Sequence, residues 1–210
     1  MITPHTPPPR LFTIGHSDHE AQHFVSLLVE HRVTAVADVR SRPYSRFAPQ
    51  FNRENLAATL KGLSVSYVFM GRELGARRDE PQAYSQRKAK YDLIRRLPAY
   101  NEGLNRLRKG WQTERIALLC SEKDPLTCHR TILVCRSLRS DPVEILHILG
   151  DGSLETMQQA ESRLLRMMGL AAADLFRDHS ELIEQAYDMQ SERIAFVEQP
   201  ESSSRTETVL

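Results

Sequence analysis

The sequence predicts a single-domain α/β protein. Its core is a mostly parallel five-stranded sheet with helices on both faces, a Rossmann-like three-layer sandwich, followed by C-terminal helices. Three observations predict it. Short apolar runs alternate along the chain with segments of helical periodicity, the pattern of right-handed βαβ crossovers. One run, Ile116-Ala117-Leu118-Leu119-Cys120, is apolar throughout, as a strand covered on both faces should be. The length, 210 residues, suits one domain with a sizeable core.

Met1 to Arg10 carries prolines at 4, 7, 8 and 9 and is expected to be a disordered leader. Leu11 to Gly15 reads as the first strand. A helix follows from about Asp18 to His31, capped by Ser17 or Asp18, with Phe24, Leu27, Leu28 and His31 at helical spacing. Ala35 to Val39 is the second strand. Asn52 to Leu63 is a helix with Asn52 as its cap and Leu56 and Leu60 on one face. Val65 to Met70 is the third strand, and Gln82 to Lys109 is helical with a break at Pro98. After the fourth strand, Ile116 to Cys120, Thr127 caps a short helix through Leu138. Val143 to Leu149 is the fifth strand. A helical extension from about residue 153 comprises Leu154 to Met168 and Asp174 to Phe196, and residues 199–210 read as a flexible tail. The domain proper is thus expected over 11–198.

Lys and Arg number 28 against 27 Asp and Glu, a net charge of +1, which gives no global electrostatic case for nucleic acid or anionic membrane. The charge is uneven, however: the stretch from Arg40 to Arg115 is rich in arginine, leaving room for a local anion site. No run approaches the roughly 18 apolar residues of a membrane span, and the leader lacks the apolar core of a secretory signal. Three cysteines, an odd and small number, argue for reduced thiols and a cytoplasmic setting.

Open parallel sheets bind ligands outside the carboxyl ends of their strands, so the residues after each strand are the ones to inspect. Gly15-His16-Ser17 follows the first, and Asp38 to Arg46 follows the second. Gly71-Arg72-Glu73-Leu74-Gly75 follows the third, Cys120 to Arg130 the fourth and Gly150-Asp151-Gly152 the fifth. In the fourth of these turns Cys128, His129 and Arg130 crowd one helix start, where free N–H groups and a cation lower a thiol's pKa and bind anions. The spacing does not match the tight cysteine-to-arginine loop of tyrosine phosphatases or rhodaneses. Cys135 reads as a small buried hydrophobe. Arg40, Arg42 and Arg46, spaced by Ser41, Pro43 and Ser45, offer forks suited to phosphate or carboxylate, unless Arg40 merely pairs with Asp38 and Arg130 with Glu122. His16 is placed to act as a general base; the six histidines other than His16 and His129 read as background. A metal site built from His16, Cys120, Cys128 and His129 finds no support in any Cys-x-x-Cys spacing, so none is expected.

Several segments together resemble the family catalogued as domain of unknown function 488. They are Thr13-Ile14-Gly15-His16-Ser17, Asp38-Val39-Arg40-Ser41-Arg42-Pro43-Tyr44-Ser45-Arg46, Glu73-Leu74-Gly75, the Cys120 to Arg130 loop and the closing Ala186-Tyr187 to Ile194-Ala195 helix. The likeness runs over roughly 11–198, with Ala76 standing where such proteins often carry a second glycine. It implies an α/β fold and a bacterial or archaeal cytosolic setting, and it implies no activity.

Three functions compete. The first is an enzyme acting on a small anionic, phosphate- or nucleotide-like substrate. Cys120, Cys128, His16 and His129 would do the chemistry, Arg40, Arg42, Arg46, Arg130 and Ser17 would hold the anion, and Asp38 and Glu122 would support them. The second is a nucleic-acid-binding or -processing module using the same arginines, with Tyr44, Phe47 and Phe51 stacking on bases. The third is a metal- or redox-sensing thiol protein. The sequence names no cofactor and no oligomeric state, and it points to no membrane partner.

Overall fold

The five apolar runs become five parallel strands, and each owes its place to the face it buries. A computed structural model describes residues 8–170 and 178–199. Strand β1 (Arg10–Gly15) is followed by helix α1 (Ala21–Glu30), β2 (Ala35–Asp38), α2 (Arg53–Gly62) and β3 (Ser66–Phe69). Next come the short α3 (Gly71–Leu74), a two-stranded hairpin β4 (Tyr84–Ser85) and β5 (Lys88–Ala89), α4 (Tyr91–Ile94) and α5 (Pro98–Gly110). Strand β6 (Ile116–Cys120) leads through a 3₁₀ turn (Pro125–Thr127) into a π-helix (Arg130–Cys135) that continues as α6 (Arg136–Leu138). β7 (Glu144–Ile148), β8 (Leu154–Thr156), α7 (Met157–Met167) and α8 (His179–Ile194) complete the chain.

The main sheet has the order β3-β2-β6-β1-β7-β8. Its first five strands are parallel, and β8 runs antiparallel to β7. The alternation of side chains along each strand sends residues to two separate cores. Phe12, Ile14, Val36, Ala117 and Leu119 pack with α1 and α2 on one face. Leu11, Ala37, Val39, Leu118 and Cys120 pack on the other with α5, the π-helix, α7 and α8.

The expected fold class is the one observed, with a sixth strand where five were expected. Leu154–Thr156 opens no helix: it pairs with β7, and Thr156 then caps α7 in a reciprocal arrangement with Gln159. The C-terminal extension therefore begins inside the sheet. The predicted helix from Gln82 to Pro98 is instead the β4–β5 hairpin and α4, because Gln86 and Arg87 take positive φ (49° and 62°), the mirror-image turn that joins two-residue hairpins. Arg10, placed in the leader by its prolines, is the first residue of β1. Residues 1–7 of that leader, 171–177, where the last helix was expected to start, and 200–210 of the tail lie outside the described residues. The cap expected for the first helix moves, and that of the second keeps its residue without its side-chain bond. Glu20 stands at the start of α1, while Asn52 keeps its place before α2 but spends its side-chain oxygen on the backbone N–H of Ser45 (2.7 Å). Among the described residues no helix is long and apolar enough to cross a membrane.

Candidate functional site

Strand order locates the site before any side chain is considered. The chain leaves β1 and β2 toward the α1/α2 face and leaves β6, which lies between them, toward the opposite face. Connections that part to opposite faces open a crevice at the carboxyl ends of the strands. The loops after β1, β2 and β6 all border it. Gly15 is required there: a Cβ on it would lie 1.9 Å from the carbonyl oxygen of Glu122, so only glycine lets the loop after β6 close over β1.

That loop is held from three sides. Asp124 caps the 3₁₀ turn, accepting from the N–H of Leu126 (2.9 Å), and the helix expected to start at Thr127 has His129 at its cap position instead. Arg163 of α7 grips Asp124 with both terminal nitrogens (2.7 and 2.9 Å), and Gln190 of α8 donates to the carbonyl of Leu126 (2.6 Å). The C-terminal helices thus brace the loop.

Within it, Cys120, Cys128 and His129 converge. The two sulfurs and a ring nitrogen of His129 all lie within 4.8 Å of one another. Nδ1 of His129 sits 3.5 Å from Cys120 Sγ and 3.9 Å from Cys128 Sγ. Its Nε2 donates to the carbonyl of Val39 (2.9 Å), at the end of β2, which turns Nδ1 toward the thiols; burial opposes a charge on this ring, but hydrogen bonding to Cys128 and the charge of that thiol raise its pKa. The thiol of Cys120 donates to Glu122 Oε2 (3.2 Å), and the N–H of Arg130 donates to Cys128 Sγ (3.4 Å). Hydrogen bonding to Cys128, together with burial, pushes the Cys120 thiol up. Burial also opposes ionisation of Cys128, but its interaction with the neighbouring Cys120 thiol, the charge of Arg130 and the hydrogen bond and charge of His129 outweigh it and hold that thiol well below its ordinary value. Tyr91, buried on the same face, lies within electrostatic reach of both thiols. Cys135 is buried in the π-helix, where desolvation pushes its thiol up.

Arg130 is sealed from solvent with both terminal nitrogens engaged, and its Nε finds no partner among the described residues. It is 0 % exposed, and its guanidinium donates to the backbone carbonyls of Glu122 (2.6 Å) and Lys123 (3.1 Å). It clamps the loop, and it meets Glu122 through the main chain and not through the carboxylate expected of an ion pair.

The other sequence candidates divide between the two faces of the same edge, because residues one apart on a strand point opposite ways. His16, Asp38 and Arg40 belong to the α1/α2 face. Arg40 is spent on Asp38 in a bidentate pair (2.9 and 2.6 Å) and on the carbonyl of Phe51 (2.9 Å). Asp38 also accepts from Tyr67 Oη (2.7 Å), a partner that the sequence pattern did not single out. The ring of His16 stacks on Phe51 at 4.5 Å, and its Nδ1 donates to the carbonyl of Ser17 (2.9 Å). Burial and the neighbouring Arg40 lower its pKa to about 4. Phe51 is itself buried, so it cannot stack on a base. Ser17, at φ 47°, gives its hydroxyl to Asp18 (2.9 Å).

Arg42 and Arg46 remain exposed. Arg46 lies over the ring of Phe47, 4.8 Å from its centre. Arg42 lines a groove of about 530 Å³ on the same sheet face as the cysteines, together with Ser41, Arg72, Arg77, Tyr84 and Phe196. Arg72 and Arg77 were not read as site residues. The third post-strand turn held the first of them, but nothing in the spacing showed that the β4–β5 hairpin would turn this stretch into one wall.

The family model for Domain of unknown function DUF488 matches residues 20–136, more than half of the chain, and the chain belongs to that family. The match spans the Asp38–Arg46 loop, Glu73-Leu74-Gly75 and the Cys120–Arg130 loop. It is narrower than the 11–198 that the motifs suggest. No curated protein and no solved structure matches the chain.

Proposed function

We propose that this member of the family is an enzyme acting on a small anionic, phosphate- or nucleotide-like substrate, with Cys120, Cys128 and His129 as its reactive centre. One observation carries the reading. Two thiols and an imidazole whose Nδ1 faces them meet at the crevice where the chain leaves neighbouring strands toward opposite faces. The arginines assigned to the substrate change. Arg40 and Arg130 are occupied by protein groups, whereas Arg42, Arg72 and Arg77 line the groove on the thiol side, together with Asp79, Glu80 and Glu198. His16, on the other face and neutral near pH 7, serves the scaffold under this reading.

The test is thermal melting of the protein with inorganic phosphate, pyrophosphate and ribonucleotides. Binding at a hundred times the dissociation constant stabilises by about 2.7 kcal/mol, a rise of several degrees in a domain of this size. A rise that is lost in Arg72→Ala/Arg77→Ala supports the reading, and no rise with any anion defeats it. A nucleic-acid role draws on one observation, Phe47, 84 % exposed beside Arg46. Salt-dependent binding of a single-stranded oligonucleotide that falls in Phe47→Ala would favour that alternative.

A further inference from the structure

We infer that Cys120, Cys128 and His129 bind one divalent transition ion of the zinc type, leaving its fourth position to water or substrate. The inference rests on the reading that this cluster is the reactive centre, and it names the group that centre works with.

The geometry is that of a ligand set. Zinc lies about 2.3 Å from thiolate sulfur and about 2.0–2.1 Å from imidazole nitrogen. At tetrahedral angles those lengths separate sulfur from nitrogen by about 3.6 Å and sulfur from sulfur by about 3.8 Å. The two sulfur–nitrogen separations here are 3.5 and 3.9 Å, and the sulfurs lie within 4.8 Å of each other. A point equidistant from the three donors can therefore hold the ion with little movement.

The surroundings point the same way. A metal-bound histidine ordinarily gives its second N–H to a carbonyl or carboxylate, which fixes its tautomer and its ring plane. His129 does this with Val39. Arg130 is a fully buried cation with no carboxylate at ion-pair distance among the described residues, next to the sulfurs that would carry the negative charge. Two thiolates and a neutral imidazole would neutralise a divalent ion, and binding would release to solvent whatever protons the thiols still hold. Softness of the donors selects zinc, cobalt or copper over magnesium or calcium. Three protein ligands rather than four is the pattern of ions that act on substrates. Glu122 brings its carboxylate to 3.2 Å from Cys120 Sγ, at the edge of the ligand set. His16, offered by the sequence as a ligand, is excluded because its ring belongs to the opposite face. A simple thiol nucleophile or a disulfide pair would also use Cys120 and Cys128, and the experiment separates them.

The full chain, stripped with a chelator under reducing conditions, is titrated with Co²⁺ and with Zn²⁺. One ion per chain is expected, with a thiolate-to-cobalt charge-transfer band that Zn²⁺ abolishes. Cys120→Ser, Cys128→Ser and His129→Ala should each weaken binding by more than the roughly 10–100-fold typical of losing an outer-shell partner, while His16→Asn leaves it unchanged. A second measurement needs no variant: in the wild-type protein Zn²⁺ should protect Cys120 and Cys128 from alkylation, read by mass spectrometry. No charge-transfer band and no protection overturn the proposal, as does an ion that survives in the Cys120→Ser/Cys128→Ser double variant. The proposed function is tested apart from this by the anion-induced melting shift of the stripped protein. A shift without metal binding leaves the reactive thiols and removes the ion.

Discussion

The two faces of one sheet edge hold two polar clusters of opposite character. On the α1/α2 face every group of the Asp38–Arg40–Tyr67 cluster is answered by a protein partner. Asp38 alone accepts from the N–H, Nε and Nη2 of Arg40 and from Tyr67 Oη. On the other face two sulfurs flank Nδ1 of His129, and a buried arginine stands by without a carboxylate. A buried polar group with all its partners in the chain stabilises and orients, and it has nothing left for a ligand. A cluster that keeps unspent lone pairs inside the fold is where a ligand belongs. Residue type alone would reverse the assignment, since the arginine-rich loop looks the more functional of the two.

That contrast breaks if the closed cluster proves dispensable. Asp38→Ala leaves Arg40 buried without its counter-charge and should cost roughly 3–5 kcal/mol in denaturant unfolding; a loss below about 1 kcal/mol would mean that Arg40 is free for other work. Arg130→Met orphans the carbonyls of Glu122 and Lys123 and should cost about 2–6 kcal/mol, each unsatisfied group contributing about 1–3. If Arg130→Met instead melts like wild type and only loses anion binding, Arg130 belongs to the substrate and not to the loop.

Acid sharpens the comparison. His16 titrates at about 4 in the fold, and His147, paired with Thr13 Oγ1 at 2.8 Å, at about 3, chiefly through burial with a cationic arginine nearby. Both values lie below that of an unfolded histidine, so the unfolded chain binds the additional protons. The stabilisation they represent is complete above about pH 6.5 and is lost as pH falls toward 4. Between about pH 7 and pH 5 the loss should approach roughly 2 kcal/mol per histidine, and His16→Asn should flatten its share of the slope. A stability profile that is level across this range would mean that the two rings titrate in the fold as they do in the unfolded chain. The smallest effect belongs to the open cluster: Cys128→Ser, which keeps a small acceptor for the N–H of Arg130, should change the stability of the stripped protein by less than about 1 kcal/mol.

Much of this architecture was legible in the chain. The period-two and period-3.6 patterns marked the five parallel strands and α1, α2, α5 and α7 to within a few residues, because each buries one face whatever the rest of the molecule does. Gln82 to Lys90 misled. Its composition suits a helix, and the positive φ of Gln86 and Arg87 is a demand made by the hairpin's packing and not by those two residues. Leu154–Thr156 misled for a related reason. Three residues at a helix start carry no period of their own, and only the free edge of β7 makes them a strand.

For the site, the sequence by itself determined which residues stand at the carboxyl ends of the strands, since chain order and strand periodicity suffice for that. Tertiary structure alone decided their roles. Strand order placed β6 between β1 and β2 and so opened the crevice beside Cys120. The alternation of side chains across the sheet then put His16 and Arg40 on one face and the cysteines on the other. The loop's closure over Gly15 buried Arg130 against carbonyls eight and seven residues before it, which no spacing rule foretells. The carbonyl of Val39, 90 residues before His129, fixed which ring nitrogen faces the thiols. The physical reason is common to all four: a local pattern sets where a side chain starts, while its remaining partners come from segments far away in sequence, and those partners decide whether a polar group is satisfied or free.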